Sequence, residues 1–67
     1  MKKLILYIMQ SLGIEANVEV VKSQNKTTFV LKVPNKAFVE GKVFQSIKTI
    51  LHAVASQPIG LKLEEMN

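Results

Sequence analysis

The longest stretch with helical periodicity, residues 35–56, constrains the fold more than any other part of this chain. Apolar residues recur there at steps of three and four, which places them on one face of an α-helix: Val43, Ile47, Ile50, Leu51 and Val54. Gly41 interrupts this pattern, and glycine weakens a helix by about 1 kcal/mol relative to alanine. Either the helix tolerates Gly41 or the chain turns there. The rest of the chain must cover the apolar face.

The sequence before this stretch predicts one helix and one β-hairpin. Apolar residues at helical spacing predict a first helix over about residues 2–12, and Tyr7 is expected to pack half-buried on it. Residues 17–22 and 27–33 alternate in hydropathy and are joined by a short polar turn, which favours an antiparallel hairpin. The second strand has two different faces, one with Phe29, Leu31 and Val33 and the other with Thr28, Val30 and Lys32.

The sequence after Pro34 predicts a short helical turn, the long helix and a last strand. Asn35 is a suitable N-cap for a turn over residues 36–40, and the long helix is expected from about Val43 to Ser56. Alternation over residues 59–64 predicts the strand, and residues 65–67 are expected to fray. The order α-β-β-α-α-β predicts a single α+β domain over residues 1–67, with a three-stranded sheet and its helices on one face.

The amino-acid composition argues against several classes of function, above all catalysis and metal binding. The 67 residues are 48% hydrophobic, which supports a real core, and nine lysines oppose five glutamates. The chain has no cysteine, no aspartate and one histidine, His52, so we expect no enzyme activity, no metal site, no cofactor and no small-molecule substrate. Residues 1–13 begin like an export signal but have too short an apolar run. We therefore expect a cytoplasmic protein without a membrane segment.

Several short strings resemble KH domains of the prokaryotic type (type II), in particular the short single-domain bacterial KH proteins. These strings are MKKLILYIMQSL, Val18-Glu19-Val20, Leu31-Lys32-Val33-Pro34, Gly41-Lys42 with Ser46-Ile47-Lys48-Thr49-Ile50, and Leu61-Lys62-Leu63-Glu64. Together they cover nearly the whole chain. The resemblance implies the KH fold and binding to RNA.

The family's phosphate-binding loop, Gly-x-x-Gly, is incomplete in this sequence. Its four positions fall on Gly41, Lys42, Val43 and Phe44, so phenylalanine stands where the second glycine belongs. A second alignment places Gly41-Lys42-Val43 before the loop and deletes the loop, at the cost of more insertions and deletions. In the family the loop presents backbone N–H groups to the nucleic-acid backbone. Phe44 extends the apolar stripe toward Ile47, so core packing is its natural role.

The resemblance implies weak binding of single-stranded RNA in a groove between the long helix and a strand. Lys42 and Lys48 would contact phosphates, and Val43, Ile47 or Val30 would form an apolar floor for bases. Gly41, Lys32 and Lys36 complete the expected site. Residues 22–48 support it with six lysines against one acid, although lysines on a solvated face give the same count.

The alternative is a KH-fold protein-interaction module that has lost RNA binding. Its partner would be a second copy, forming a homodimer, or another protein such as a partner KH protein. The docking surface would be an exposed strand edge or the side chains of Val21 and Val30.

Overall fold

A computed structural model describes residues 1–66 of the chain. Two α-helices and three strands follow the predicted order: α1 (Lys2–Ser11), β1 (Asn17–Lys22), β2 (Thr27–Val33), α2 (Lys42–Val54) and β3 (Ile59–Glu65). Lys36–Phe38 forms a short 3₁₀ turn between β2 and α2, in place of the third helix. The α+β class is confirmed, and no helix within residues 1–66 is long and apolar enough to cross a membrane.

The three strands form one mixed sheet with β2 in the centre. β1 pairs antiparallel with β2, so that Val20 lies opposite Phe29, and this confirms the predicted hairpin. β3 pairs parallel with β2, so that Leu61 also lies beside Phe29. A parallel neighbour requires a crossover, which the 3₁₀ turn and α2 provide. β1 and β3 are therefore the two edges of the sheet.

Both helices pack on one face of the sheet, and the core lies between the two layers. The central strand contributes the three side chains expected from its alternation, Phe29, Leu31 and Val33. Strand β1, the two helices and the segment before α2 supply the rest: Val18, Ile5, Met9, Ile47, Leu51 and Val39. Half-buried side chains, Phe44 among them, pack around this cluster. The opposite face carries Val30 and Lys32, and no helix within residues 1–66 covers it. Val30 is buried there, at 7% exposure, outside the main core.

The chain turns at Gly41, so an uninterrupted helix through this position is ruled out. The Asn35 side chain accepts a hydrogen bond from the Ala37 amide at 3.1 Å, as expected of an N-cap. Val39 then enters the core, and Gly41 has φ +92° and ψ −130°, a backbone conformation that favours glycine. α2 begins directly afterwards, at Lys42.

Three sequence-based expectations about α1 and α2 are wrong. α2 ends at Val54 rather than Ser56. Ile50 and Val54 are 41% and 58% exposed, because the narrow sheet covers only the central row of the helix, where Ile47 and Leu51 lie. Tyr7 is 67% exposed rather than half-buried.

The expected fraying after β3 is also wrong for the residues that the structure describes. Glu65 belongs to the strand, and the Met66 amide donates to the Val33 carbonyl at 2.8 Å. Asn67 lies outside the described residues. The Glu65 side chain accepts a hydrogen bond from the Lys36 amide at 3.0 Å, which fastens the 3₁₀ turn to the end of β3.

Candidate nucleic-acid interface

A groove runs along the outer edge of β3, between this strand and helix α2, and we call it the β3 furrow. One end encloses about 310 Å³ and is lined by Lys26, Thr28, Lys48, His52, Ile59, Gly60, Leu61 and Lys62. The other end encloses about 480 Å³ and is lined by Lys36, Glu40, Phe44, Leu61, Lys62, Leu63 and Glu64. Leu61 and Lys62 line both ends, so the two ends are adjacent along β3.

Helix α2 forms one wall of the furrow through a row of side chains. Phe44, Lys48 and His52 are four residues apart, so they lie on one side of the helix, one turn above another. All three line the furrow. The ring of Phe44 is half-buried against the core and takes part in the furrow wall.

The sheet forms the other wall, where Gly60 allows Lys26 to lie close to the strand. A Cβ atom at position 60 would stand 3.0 Å from Cε and 3.3 Å from Nζ of Lys26. Glycine therefore leaves the space that the lysine side chain occupies. The Lys26 ammonium group thus lies beside β3 and lines the same end of the furrow as Lys62.

The backbone of β3 adds hydrogen-bond donors to the furrow. In a parallel ladder, the residues of one strand bond alternately to the neighbouring strand and to the outside. The bond from the Met66 amide to the Val33 carbonyl fixes this alternation, so even-numbered residues of β3 face β2. The N–H groups of Leu61 and Leu63 are consequently directed away from the sheet, along the outer edge.

Charge is distributed unevenly along the furrow. Among the described residues, the 310 Å³ end has the cationic side chains of Lys26, Lys48 and Lys62 and the imidazole of His52, with no carboxylate in its lining. The 480 Å³ end places Glu40 and Glu64 beside its lysines. An anion is therefore favoured at the first end, which we call the basic end.

The expected site residues do not lie together on one surface. Lys36 and Lys48 line the β3 furrow. Lys42, Val43 and Ile47 border an apolar hollow of about 280 Å³ between α1 and α2. Val30 and Lys32 lie on the sheet face without helices, and Gly41 forms the turn before α2. The structure therefore brings only two of the eight into the furrow.

Two of the three residues expected to form an apolar floor are buried. Ile47 is 1% exposed within the core, and Val30 is 7% exposed on the far side of the sheet. Neither presents a surface on which a base could lie. In the furrow, helix α2 presents the half-buried Phe44, and strand β3 presents the half-buried Ile59, Leu61 and Leu63.

Lys32 is engaged in an ion pair on the open sheet face. Its Nζ lies 2.7 Å from Oε1 of Glu19. The hydrogen bond that Lys32 donates to Glu19, and then the negative charge of Glu19, raise the pKa of Lys32 above the ordinary value of 10.5. This lysine is therefore less available to a polyanion than the lysines of the furrow.

Sequence reasoning missed Lys26, Lys62 and His52 as site residues. Alternation along β3 places Lys62 on the face away from the helices, but only the position of β3 at the edge lets its side chain reach the furrow. His52 carries a sequence signal, its spacing of four from Lys48, that becomes meaningful once the neighbour of α2 is known. Within residues 1–66, no three histidine or acidic side chains are placed to hold a metal ion.

The chain matches no protein-family profile, no curated protein and no solved structure.

Proposed function

We propose that this chain is a single-stranded RNA-binding module with a KH-type (type II) fold, that it binds without catalysis, and that it works in the cytoplasm. The convergence of Lys26, Lys48, His52 and Lys62 on the basic end of the furrow carries the proposal. These residues come from the hairpin, from α2 and from β3, and folding brings their side chains together. The RNA backbone lies along the outer edge of β3, with a phosphate at the basic end.

Electrostatics supply most of the affinity in this arrangement. Lysine ammonium groups act on phosphates as point charges, and their binding releases counterions from the nucleic acid. The outward N–H groups of Leu61 and Leu63 donate hydrogen bonds to phosphate oxygens. Neither interaction depends strongly on base identity, so we expect weak affinity with little sequence preference.

Apolar side chains in the furrow provide a surface on which RNA bases can stack. An extruded base stacks on the exposed part of the Phe44 ring, with Leu61 beside it. In this proposal, Phe44 compensates for the glycine that it replaces in the family's loop. Gly41 turns the chain before α2, and Lys36, which lines the 480 Å³ end of the furrow, is a further phosphate contact.

The test is an NMR titration of the isotope-labelled chain with a short oligouridine. We expect chemical-shift changes at Lys26, Lys48, His52, Leu61 and Lys62. Lys2 and Lys3 on α1 are lysines that lie outside the furrow. The shifts of their amide signals therefore serve as the internal control. Absence of shifts, or shifts of equal size on α1, would contradict the proposed site.

A protein-interaction module is the second candidate function. The exposed edge of β1 favours it, because Val20 and Val21 are 39% and 53% exposed there. The strand order is β1-β2-β3, so this edge and the β3 furrow lie at the two opposite edges of the sheet. The two functions therefore do not compete for the same surface.

A further inference from the structure

The outer edge of β1 offers a regular row of backbone donors and acceptors. The Ser23 amide donates to the Lys26 carbonyl at 2.9 Å, and this bond continues the register in which Lys22 lies opposite Thr27. Residues of an antiparallel ladder alternate between bonded and non-bonded pairs. The backbone groups of residues 17, 19 and 21 are therefore directed to β2, and those of Val18, Val20 and Lys22 are directed outward.

Within residues 1–66, no bulge interrupts this edge and no other backbone group bonds to it. β1 has no proline and pairs with β2 alone, and α1 packs on the helix side of the sheet. An exposed edge strand of this kind is a template for pairing with another strand.

We propose that β1 pairs antiparallel with β1 of a second copy, about a twofold axis at Val20. In this register Val20 lies opposite the partner's Val20, and Val18 lies opposite the partner's Lys22. Every outward N–H and C=O group of Val18, Val20 and Lys22 then has a partner. A twofold contact of this type closes on itself and gives a dimer.

The two neighbouring registers of this strand pair are less favourable. An axis at Glu19 places this carboxylate directly opposite the partner's Glu19, and like charges opposite each other destabilise a strand pair. An axis at Val21 leaves the outward groups of Val18 without a partner strand residue. The axis at Val20 instead places Glu19 opposite the partner's Val21, and the ion pair with Lys32 is kept.

The pairing would join two three-stranded sheets into one sheet of six strands. Directly opposite residues point to the same face of a sheet, so the helices of both copies lie on one side. Both β3 furrows remain open at the two far edges. The dimer therefore does not depend on the proposed RNA site.

The first test is sedimentation equilibrium of the purified chain over a range of concentrations without RNA. We expect a concentration-dependent mass that approaches twice the 7.5 kDa of the chain. In the dimer, the amides of Val18, Val20 and Lys22 should exchange with solvent more slowly than in the dilute chain. A strict monomer at millimolar concentration would overturn the proposal.

Charge variants at Val21 test the register. Val21→Lys places an ammonium group opposite the partner's Glu19 and should lower the dimer dissociation constant, whereas Val21→Glu should raise it. Each change is roughly 2- to 30-fold, because the new pair occurs twice across the axis. Equal dissociation constants for the two variants would contradict this register.

Val20→Pro tests the backbone contact itself. Proline removes an N–H that is directed outward and that the β1–β2 ladder does not use, so we expect a folded monomer. Circular dichroism verifies the fold. A folded Val20→Pro variant that still forms dimers would overturn the proposal, and if the variant does not fold, the two Val21 variants decide.

Discussion

The Nζ atom of Lys32 lies 2.7 Å from Oε1 of Glu19, across the sheet face that the helices leave open. Glu19 lies directly opposite Val30, and Lys32 is two residues further along β2, so the two charged groups form a diagonal cross-strand pair. This pair joins β1 to β2 at the surface.

The first prediction concerns the pKa of Lys32, which Glu19 raises above 10.5. Glu19→Gln should lower this pKa toward its ordinary value, because the charged acceptor is lost. A raised pKa in the folded state means that the pair stabilises the fold below pH 10.5 and that this contribution disappears as the pH rises through the raised pKa. NMR titration of the Lys32 side chain measures the shift. Glu15→Gln is the control and should leave it unchanged.

The second prediction concerns Gly41. Gly41→Ala should lower the free energy of unfolding by about 1–3 kcal/mol, because φ +92° with ψ −130° is strained for an L-residue. Contact with more distant parts of the described chain is not the cause, since beyond the two neighbouring residues no described atom lies within 4 Å of the added Cβ. Urea denaturation measures the loss. Replacement of Gly41 by D-alanine in a synthetic chain is the control and should keep the stability, and an unchanged Gly41→Ala protein would contradict the turn.

The third prediction compares two neighbouring residues of α2. Leu51 is fully buried, so Leu51→Ala should cost about 2–5 kcal/mol of unfolding free energy. Ile50 is 41% exposed, and Ile50→Ala should cost much less, about 1 kcal/mol or below. Thermal unfolding of both variants gives the comparison. Equal losses would show that α2 is rotated from the orientation described.

Local periodicity predicted the parts of the fold that depend on one element at a time. The alternation of Phe29, Leu31 and Val33 gave the core face of β2, and the spacing of Ile47 and Leu51 gave the buried row of α2. Periodicity says which side of an element is buried, but not how wide its neighbour is. Ile50 and Val54 therefore appeared to belong to the core, although the narrow sheet leaves them exposed.

The candidate site depends on relationships between elements, and these were harder to predict. The parallel pairing of β3 with β2 brings Lys62 beside Lys26 and places both across from Lys48. No local pattern encodes the direction of that pairing. The sequence resemblance directed attention to Gly41 and Lys42, whereas the side chains that converge are on the other side of α2.

The central claim is that the β3 furrow binds the RNA backbone, and the salt dependence of affinity tests it most directly. Oligouridine affinity should be measured against salt concentration for the wild type, for Lys48→Gln/Lys62→Gln, and for the control Lys2→Gln/Lys3→Gln, which loses the same charge from α1. Each lost phosphate contact should reduce the slope of log affinity against log salt by about 0.7 for a single strand. We predict a slope smaller by about 1.4 for the furrow variant and an unchanged slope for the control. Equal slopes and affinities for the two variants would contradict the claim.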